Sequence, residues 1–527
     1  MKDLLFLVLI ALTPASVSAQ SPSPGDPAEL PFTLEIEDVT QDELPGFHSM
    51  AFAQWDGWWV IIGGRVGGLH GFFPFTAFPE NEANTNIWLI DPATGDALNF
   101  GVNALNIPFH DPLKATNPQY AQDGENLYIC GGYGKDAITG DFISFAVLTV
   151  VNLPQLVSAM QAQTNPSAAF RQTQSDNLRV CGGEMDKLGD FFYLVGGHDF
   201  SGNYTQQPSP MFTQTYTCEI RKFKITNNSS TLAITDYSAH HDEQNLRRRD
   251  FTLAPVIHPD GSPGLCLHGG VFRPDVDLPY YNPVYIGENQ IFTLDNSYEQ
   301  IFSQYTCPAV PMFDSTDGSM YTILFAGLSA HYFDQNSQTV KYDEKVPFIR
   351  DISTFRRRAD DTSREFLLPQ KFDELLGTNM IFAPAEDAPH FPNEVLKLHQ
   401  MNGKTFVGWL FGGIKAEIPN ITPSSASKRM FKVYISPKNA VGIENVIAGS
   451  PVMRISPNPF FSGQRISIEG VEEIRNISLF SADGVLLGDF GKDVGGLESR
   501  LEGALPGVYF IQVIGENSGA LSKVVKM

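Results

Sequence analysis

The chain has 527 residues, 42% of them hydrophobic, and is too long for one ordinary compact domain. Its formal charge is -23, from 59 acidic and 36 basic residues, and a field of that sign repels nucleic acid and anionic lipid. Nucleic acid is therefore excluded as a general partner. The 46 glycines and 36 prolines favour a turn-rich, mostly β protein.

The first 19 residues are typical of an export signal. Lys2 supplies the positive start, residues 4–12 are apolar, and Val17-Ser18-Ala19 offers small residues for cleavage before Gln20. No later run approaches the ~18 apolar residues of a membrane helix, so we expect no transmembrane span in the mature protein.

The chain has five cysteines, and an odd number in an exported protein leaves at least one unpaired. Cys130 and Cys266 lie within apolar strands. A protein with this much core has little need of disulfides, so we expect most cysteines to be small buried hydrophobic residues.

An apolar, aromatic-rich run that ends in two small residues occurs six times. The pairs are Gly63-Gly64, Gly131-Gly132, Gly196-Gly197, Gly269-Gly270, Ala326-Gly327 and Gly412-Gly413. A short sequence motif that recurs at long intervals indicates that one supersecondary unit occurs several times in the fold. Each interval has room for four short strands.

The first unit shows the pattern most fully. Residues 48–54 are predicted to form a strand, Asp56-Gly57 a tight turn, and residues 58–62 the returning strand before the glycine pair. Residues 86–90 are predicted to be a third strand, and residues 91–95 have a composition typical of a turn.

Two insertions are predicted to be locally helical, at residues 153–157 and 368–376, because each carries proline near a helix start. Residues 32–37 and 431–435 both alternate apolar and polar side chains. We expect these two strands to share the sixth blade, since an open edge would invite aggregation.

The order of hairpin, double glycine, variable loop and Asn-x-apolar-aromatic-x-apolar-Asp-x-x-Thr resembles the kelch repeat, fully at residues 86–94 and partly elsewhere. The resemblance implies an all-β fold: a six-bladed, kelch-type (galactose-oxidase-like) β-propeller over residues 20–436. The family includes binding proteins as well as copper radical oxidases and sialic acid mutarotases.

Aromatic residues vanish over residues 437–450, as in a linker, and a compact β unit is predicted at residues 451–527. This tail resembles the C-terminal sorting domain of type IX secretion cargo in Bacteroidetes. The residues that carry this likeness are Pro457, Asn458, Pro459, Gly507, Tyr509 and Lys523. The resemblance implies an immunoglobulin-like β-sandwich that engages the type IX machinery, with the protein passing through the periplasm to the cell surface or the medium. A plain immunoglobulin-like binding module is the alternative.

In a propeller, residues just after each double glycine share a face with residues just before each first strand. The candidate ligand-binding residues on this rim are Arg65, His198, Asp199, Arg247, Arg248, Arg249, Arg273, His331 and Lys415, with Tyr133, Lys135, Asp250 and Phe272 beside them. Cations and aromatic rings at a channel mouth suit an anionic or sugar ligand. The alternative is that these arginines bind loop carbonyls.

No catalytic residue, metal site or cofactor is predicted. Nucleophile motifs, phosphate loops and metal-ligand spacings are missing from the sequence, and the Tyr-Cys-His set of the copper oxidases is not assembled. We therefore expect a monomeric binding protein with a glycan or protein ligand. A sugar-active enzyme similar to the mutarotases and a purely structural surface component stay open as alternatives.

Overall fold

The computed structural model describes residues 23–288, 292–438, 454–470, 473–482, 486–515 and 519–527. The chain divides into two compact units, Met1–Pro437 and Lys438–Met527. The all-β prediction is confirmed, and two short α-helices, Leu153–Gln161 and Val494–Glu502, are the exceptions among the described residues. The predicted export signal and residues 439–450 of the predicted linker lie outside the described residues.

Six antiparallel four-stranded sheets make up the first unit. Sheet 1 contains Ala51–Trp55, Trp58–Ile62, Asn86–Ile90 and Ala97–Gly101; sheet 2 contains Thr116–Asp123, Asn126–Lys135, Val147–Asn152 and Phe170–Gln174. Sheet 3 contains Glu184–Leu188, Phe191–Val195, Glu219–Asn227 and Leu232–His241; sheet 4 contains Thr252–Ile257, Pro263–His268, Val284–Gly287 and Thr293–Leu294. Sheet 5 contains Ala309–Asp314, Ser319–Phe325, Asp351–Arg357 and Ser363–Lys371; sheet 6 contains Leu375–Pro384, Thr405–Ile418, Met430–Pro437 and Phe32–Asp38.

Further strands extend these sheets, and separate hairpins and short turns lie between them. Phe142–Ser144, His198–Asn203 and Met211–Tyr216 extend sheet 2, Leu396–Lys397 runs parallel to the first strand of sheet 5, and Ile421–Ala426 pairs with sheet 6. Separate hairpins are Val271–Arg273 with Val276–Pro279 and His331–Asp334 with Thr339–Tyr342. Short 3₁₀ turns lie at Pro27–Glu29, Glu80–Glu82, Val102–Ala104, Asp111–Lys114, Pro166–Ala169, Asp176–Leu178 and Leu398–Gln400.

The six sheets form a closed ring. Each of six apolar clusters is shared by two consecutive sheets, and one of them joins sheet 6 to sheet 1. In that last cluster the rings of Trp59 and Phe411 lie 5.4 Å apart. Residues at the start of every first strand line a common central cavity. This arrangement is a β-propeller in which each sheet is one blade.

The repeated glycine pair joins one sheet to the next. The N–H of Gly64 donates to the carbonyl of Ala115, just before sheet 2, at 2.8 Å, and the same bond recurs at four other junctions. Gly63 has a φ of +67°, and a Cβ there would lie 2.7 Å from the Ala115 oxygen. A side chain at this position would therefore push two blades apart.

The ring is completed by the same kind of contact. Gly413 N–H donates to the carbonyl of Phe47 at 2.8 Å, which links sheet 6 to the segment before sheet 1. Phe32–Asp38 pairs antiparallel with Met430–Pro437, with Leu34 opposite Ile435. The two strands that the sequence places in the sixth blade are thus neighbours there.

One of the two predicted helical insertions is confirmed and the other is wrong. Leu153–Gln161 is a helix, with Asn152 accepting a capping hydrogen bond from Gln155 N–H at 3.0 Å. Residues 368–376 instead span the end of Ser363–Lys371 and the start of Leu375–Pro384. Pairing of these strands in sheets 5 and 6 satisfies the backbone better than an isolated turn of helix would. All five cysteines are free and buried, as expected.

The second unit packs two sheets and a helix around its own apolar core. Arg454–Ser456 pairs with Ser467–Glu469, and a four-stranded sheet contains Leu486–Asp489, Asn476–Ser481, Gly507–Ile514 and Gly519–Lys526. The helix Val494–Glu502 buries Leu497 and Leu501 in this core. The sequence analysis does not predict that helix.

Glu365 is a fully buried acid that links sheet 5 to the segment before it. Its Oε2 accepts from Ile301 N–H at 2.6 Å, and its Oε1 lies 2.9 Å from Ser353 Oγ. Ser353 Oγ also lies 2.6 Å from Gln304 Oε1. Since the serine has one hydrogen to share, a protonated Glu365 that donates to Ser353 satisfies all three groups. Burial raises the pKa of Glu365 to about 7, which agrees with this pattern.

We predict that Glu365→Gln stabilises the propeller at alkaline pH. A folded-state pKa above the unfolded value of 4.5 gives stability that is full below pH 4.5 and is lost as pH rises through 7. The amide imitates the protonated acid, so the variant should gain about 1–3 kcal/mol at pH 8 and much less at pH 5. Urea unfolding at both pH values measures this. Glu417→Gln, at an exposed site, is the control, and a larger loss of stability at pH 8 than at pH 5 would contradict the assignment.

Candidate functional site

A narrow girdle of small polar residues surrounds the central channel. The residues that lead into or begin the first strand of each sheet form its entry segment, and each entry segment contributes one residue to the girdle. All six have φ between +48° and +64°: Ser49, Asn117, Gly182, Asp250, Thr306 and Asn379. Backbone bonds run from one to the next, for example Asp250 N–H to the Gly182 carbonyl at 2.8 Å and Thr306 N–H to the Asp250 carbonyl at 3.0 Å. Asp250 is the one charged member of the girdle.

A cavity of about 390 Å³, which we call the mouth pocket, opens on one side of this girdle. Its basic side chains are Arg65, Arg249 and Lys345, against the carboxylate of Asp250 in the lining and that of Glu82, which pairs with Arg65. In a chain with a charge of -23, such a local excess of positive charge favours an anionic ligand.

The floor of the mouth pocket is a row of stacked rings that runs between the two arginines. Arg65 lies over the ring of Phe78 at 5.2 Å, and His70 stacks on Phe78 with centroids 4.2 Å apart. His70 also meets Tyr204 edge-on at 4.8 Å, and the Tyr204 hydroxyl accepts from Arg249 Nη2 at 3.0 Å. Apolar surface with a few fixed charges is typical of a ligand site.

Both arginines are held in place by neighbouring acceptors. Arg65, 4% exposed, donates through Nη2 to Glu82 and to the Pro79 carbonyl, each at 3.0 Å. Arg249 Nε lies 3.3 Å from the carboxylate of Asp250. Among the described residues, the buried Nε of each arginine and the Nε2 of His48 have no hydrogen-bond partner.

The three histidines that line the pocket are neutral at physiological pH. Burial, together with neighbouring arginines, lowers the pKa of His48 to about 3 and that of His70 to about 4. Burial and then Arg249 hold the pKa of His198 well below its usual value. The positive charge of the pocket therefore resides on Arg65, Arg249 and Lys345 rather than on imidazolium groups.

The structure brings together three of the nine candidate rim residues. Arg65, His198 and Arg249 line the mouth pocket, together with Tyr133, Phe272 and Asp250 from the wider set. Lys135 lies in an adjoining cavity of about 150 Å³ and pairs with Glu80 at 2.6 Å.

Two of the remaining arginines bind backbone carbonyls instead. Arg248, 1% exposed, donates to the carbonyls of three residues, Asn245, Gly269 and Asn282, at 2.7–3.1 Å. Arg247 donates to the Phe272 carbonyl at 2.6 Å. Consecutive residues of this extended segment point in different directions, so only the third arginine of the run reaches the pocket.

The other candidates lie outside the pocket lining. Lys415 pairs with Glu374, and Arg273 Nε lies 3.8 Å from Asp275. His331 packs against Tyr342, with ring centroids 5.2 Å apart, and Asp199 lies opposite Thr215 in the pairing of two added strands of sheet 2.

The sequence analysis missed part of the pocket. His48 comes from an entry segment and His70, Phe72 and Phe78 from the loop after the first glycine pair, while Tyr204 follows an added strand of sheet 2. The aromatic density of residues 69–78, next to a glycine pair on the predicted rim, was the signal available.

The opposite end of the channel is acidic. A cavity of about 780 Å³ there is lined by Asp123, Glu184, Asp186 and Glu394, with Lys187 paired to Asp123 at 2.8 Å. Burial raises the pKa of Glu184 to about 8 and that of Asp186 to about 7. In the described residues no group of three or more His, Cys, Asp or Glu is placed to hold a metal ion.

Comparisons with known proteins give little beyond the fold. No family model and no curated protein matches the chain. A solved structure of YjhT is similar, with 12% identity, a TM-score of 0.41, and coverage of 73% of this chain and 95% of that one. Similarity at this level does not identify a function, and the propeller assignment rests on the sheets themselves. No helix in the described ranges is long and apolar enough to cross a membrane.

Proposed function

We propose that the protein is a binding propeller whose mouth pocket holds the acidic residue of a glycan. The observation that carries this proposal is the placement of Arg65 and Arg249 at the two ends of a floor of aromatic rings that lines the mouth pocket. Guanidinium donors bind carboxylates and sulfates strongly, and ring faces accept the apolar faces of sugars.

The prediction is that acidic monosaccharides bind the purified protein more tightly than their neutral counterparts. Titration calorimetry with glucuronate and galacturonate, against glucose and galactose, measures the difference. Arg249→Gln should weaken acid-sugar binding about tenfold or more, because a hydrogen bond to a charged group contributes about 1.5–3 kcal/mol. Binding should also weaken with salt, because Lys345 is exposed and exposed charges are screened within ~10 Å at 0.1 M.

Two further variants control this experiment. Lys345→Gln changes an exposed side chain that lines the pocket and should weaken binding without affecting the fold. Arg358→Gln removes an equal charge from an exposed turn outside the pocket and should change nothing. Equal binding of neutral and acidic sugars, or equal losses in the Arg249 and Arg358 variants, would refute the proposal. Binding of acidic peptides but not of acidic sugars would indicate that the ligand of the mouth pocket is a protein.

We also propose that residues 451–527 direct type IX secretion and that residues 1–19 direct export to the periplasm. Asn458, in the Pro457–Pro459 segment, donates to the carbonyl of Lys523 at 2.6 Å and accepts from Val525 N–H at 2.9 Å. Two pieces of the suspected sorting motif are thus tied together beside the last strand. The unit has its own core, which supports a role separable from that of the propeller.

Deleting residues 451–527 should leave a folded propeller inside the periplasm. The propeller is a compact unit with apolar clusters of its own, so its melting transition should persist. Cell fractionation and surface labelling in a bacterium with the type IX machinery locate the protein. The full chain is the control, and normal surface display of the truncated chain would disprove the sorting role.

A further inference from the structure

Three phenylalanines beside the mouth pocket are exposed to solvent. Phe72, Phe73 and Phe75 have relative exposures of 43%, 58% and 94%, and they lie in the segment of residues 69–78, which we call the aromatic loop. A single exposed apolar side chain needs no explanation, but adjacent exposed aromatic rings mark an interaction site. Sheet packing does not require them, since they lie outside every core cluster.

The aromatic loop is held in a fixed conformation. The Phe72 carbonyl accepts from Gln206 N–H at 3.0 Å and from Gln207 N–H at 3.1 Å. Within the loop, Gly71 N–H donates to the Thr76 carbonyl at 2.8 Å and Thr76 N–H to the Phe73 carbonyl at 2.9 Å. The exposed rings are therefore presented on an ordered frame, which lowers the entropic cost of binding.

The aromatic loop continues the floor of the mouth pocket outward. Phe72 lines the pocket and lies 5.4 Å from the ring of His70 and 6.0 Å from that of Tyr204. Phe73 and Phe75 follow in the same turn. The row of contacting rings from Phe78 through His70 ends at Phe72, which is 43% exposed, and so leads from the site between Arg65 and Arg249 to solvent.

We infer that the aromatic loop is an extended subsite and that the ligand is an acidic oligosaccharide, an inference that rests on the proposed function of the mouth pocket. A volume of about 390 Å³ is near the lower end of ligand pockets, which span about 300–1,000 Å³, so later sugars of a chain must lie outside it. A sugar that stacks one apolar face on Phe73 or Phe75 keeps its hydroxyls in water. Such contact therefore needs no polar partner on the loop.

The test compares acidic oligosaccharides of increasing length on the full chain. Affinity for oligogalacturonates should rise about tenfold or more between one and four residues, because the later sugars can stack on the exposed rings of the aromatic loop. Phe73→Ser and Phe75→Ser together should abolish this gain and leave galacturonate binding unchanged. Both side chains are exposed, so folding is preserved. Phe461→Ser, which removes an equally exposed ring in the second unit, should keep the gain.

The outcomes distinguish a failure of this inference from a failure of the proposed function of the mouth pocket. If galacturonate binds but longer chains bind no more tightly, or if the double variant keeps the length dependence, the aromatic loop is not a sugar subsite and the proposed function survives. If no acidic monosaccharide binds the unmodified protein, the proposed function fails and the inference fails with it. Binding to phosphatidylglycerol vesicles that is lost in the double variant, without any length gain, would assign the loop to membranes and overturn the inference.

Discussion

The propeller depends on one repeated constraint, the close approach of each glycine pair to the backbone of the next blade. The bond from Gly413 N–H to the Phe47 carbonyl has the same length, 2.8 Å, as the bond from Gly64 to Ala115. The junction between the last and first blades is therefore equivalent to the internal ones. The strand Phe32–Asp38 completes sheet 6 and covers the edge of Met430–Pro437.

Closure of the ring also creates the site. Every entry segment follows a glycine junction and delivers one girdle residue to the channel, so the side chains of distant segments converge there. The channel has different charged groups at its two ends: Arg65 and Arg249 lie at the mouth pocket, and the carboxyl groups of Glu184 and Asp186, whose pKa values burial raises to about 8 and about 7, lie at the other. Positive charge is therefore placed at the mouth end, where it favours an anion.

How much the sequence could predict differs between local and long-range features. Strands Trp58–Ile62 and Asn86–Ile90 match their predicted bounds because turn residues and the glycine pair delimit them. Residues 368–376 carry a proline near a possible helix start, and only their pairing in sheets 5 and 6 decides against a helix. Likewise, the arginine run at 247–249 indicates a basic rim. Only the folded chain shows that Arg248 donates to backbone carbonyls and that Arg249 lines the mouth pocket.

Removal of residues 23–40 tests ring closure most directly. The deleted strand buries Phe32 and Leu34, 2% and 3% exposed, and each such side chain contributes about 1.5–3 kcal/mol. We predict that the melting temperature falls by roughly 10 °C or more, and that a peptide of residues 30–40, but not its scrambled form, restores part of the loss. An unchanged melting temperature would show that the ring does not depend on this strand and would contradict the account.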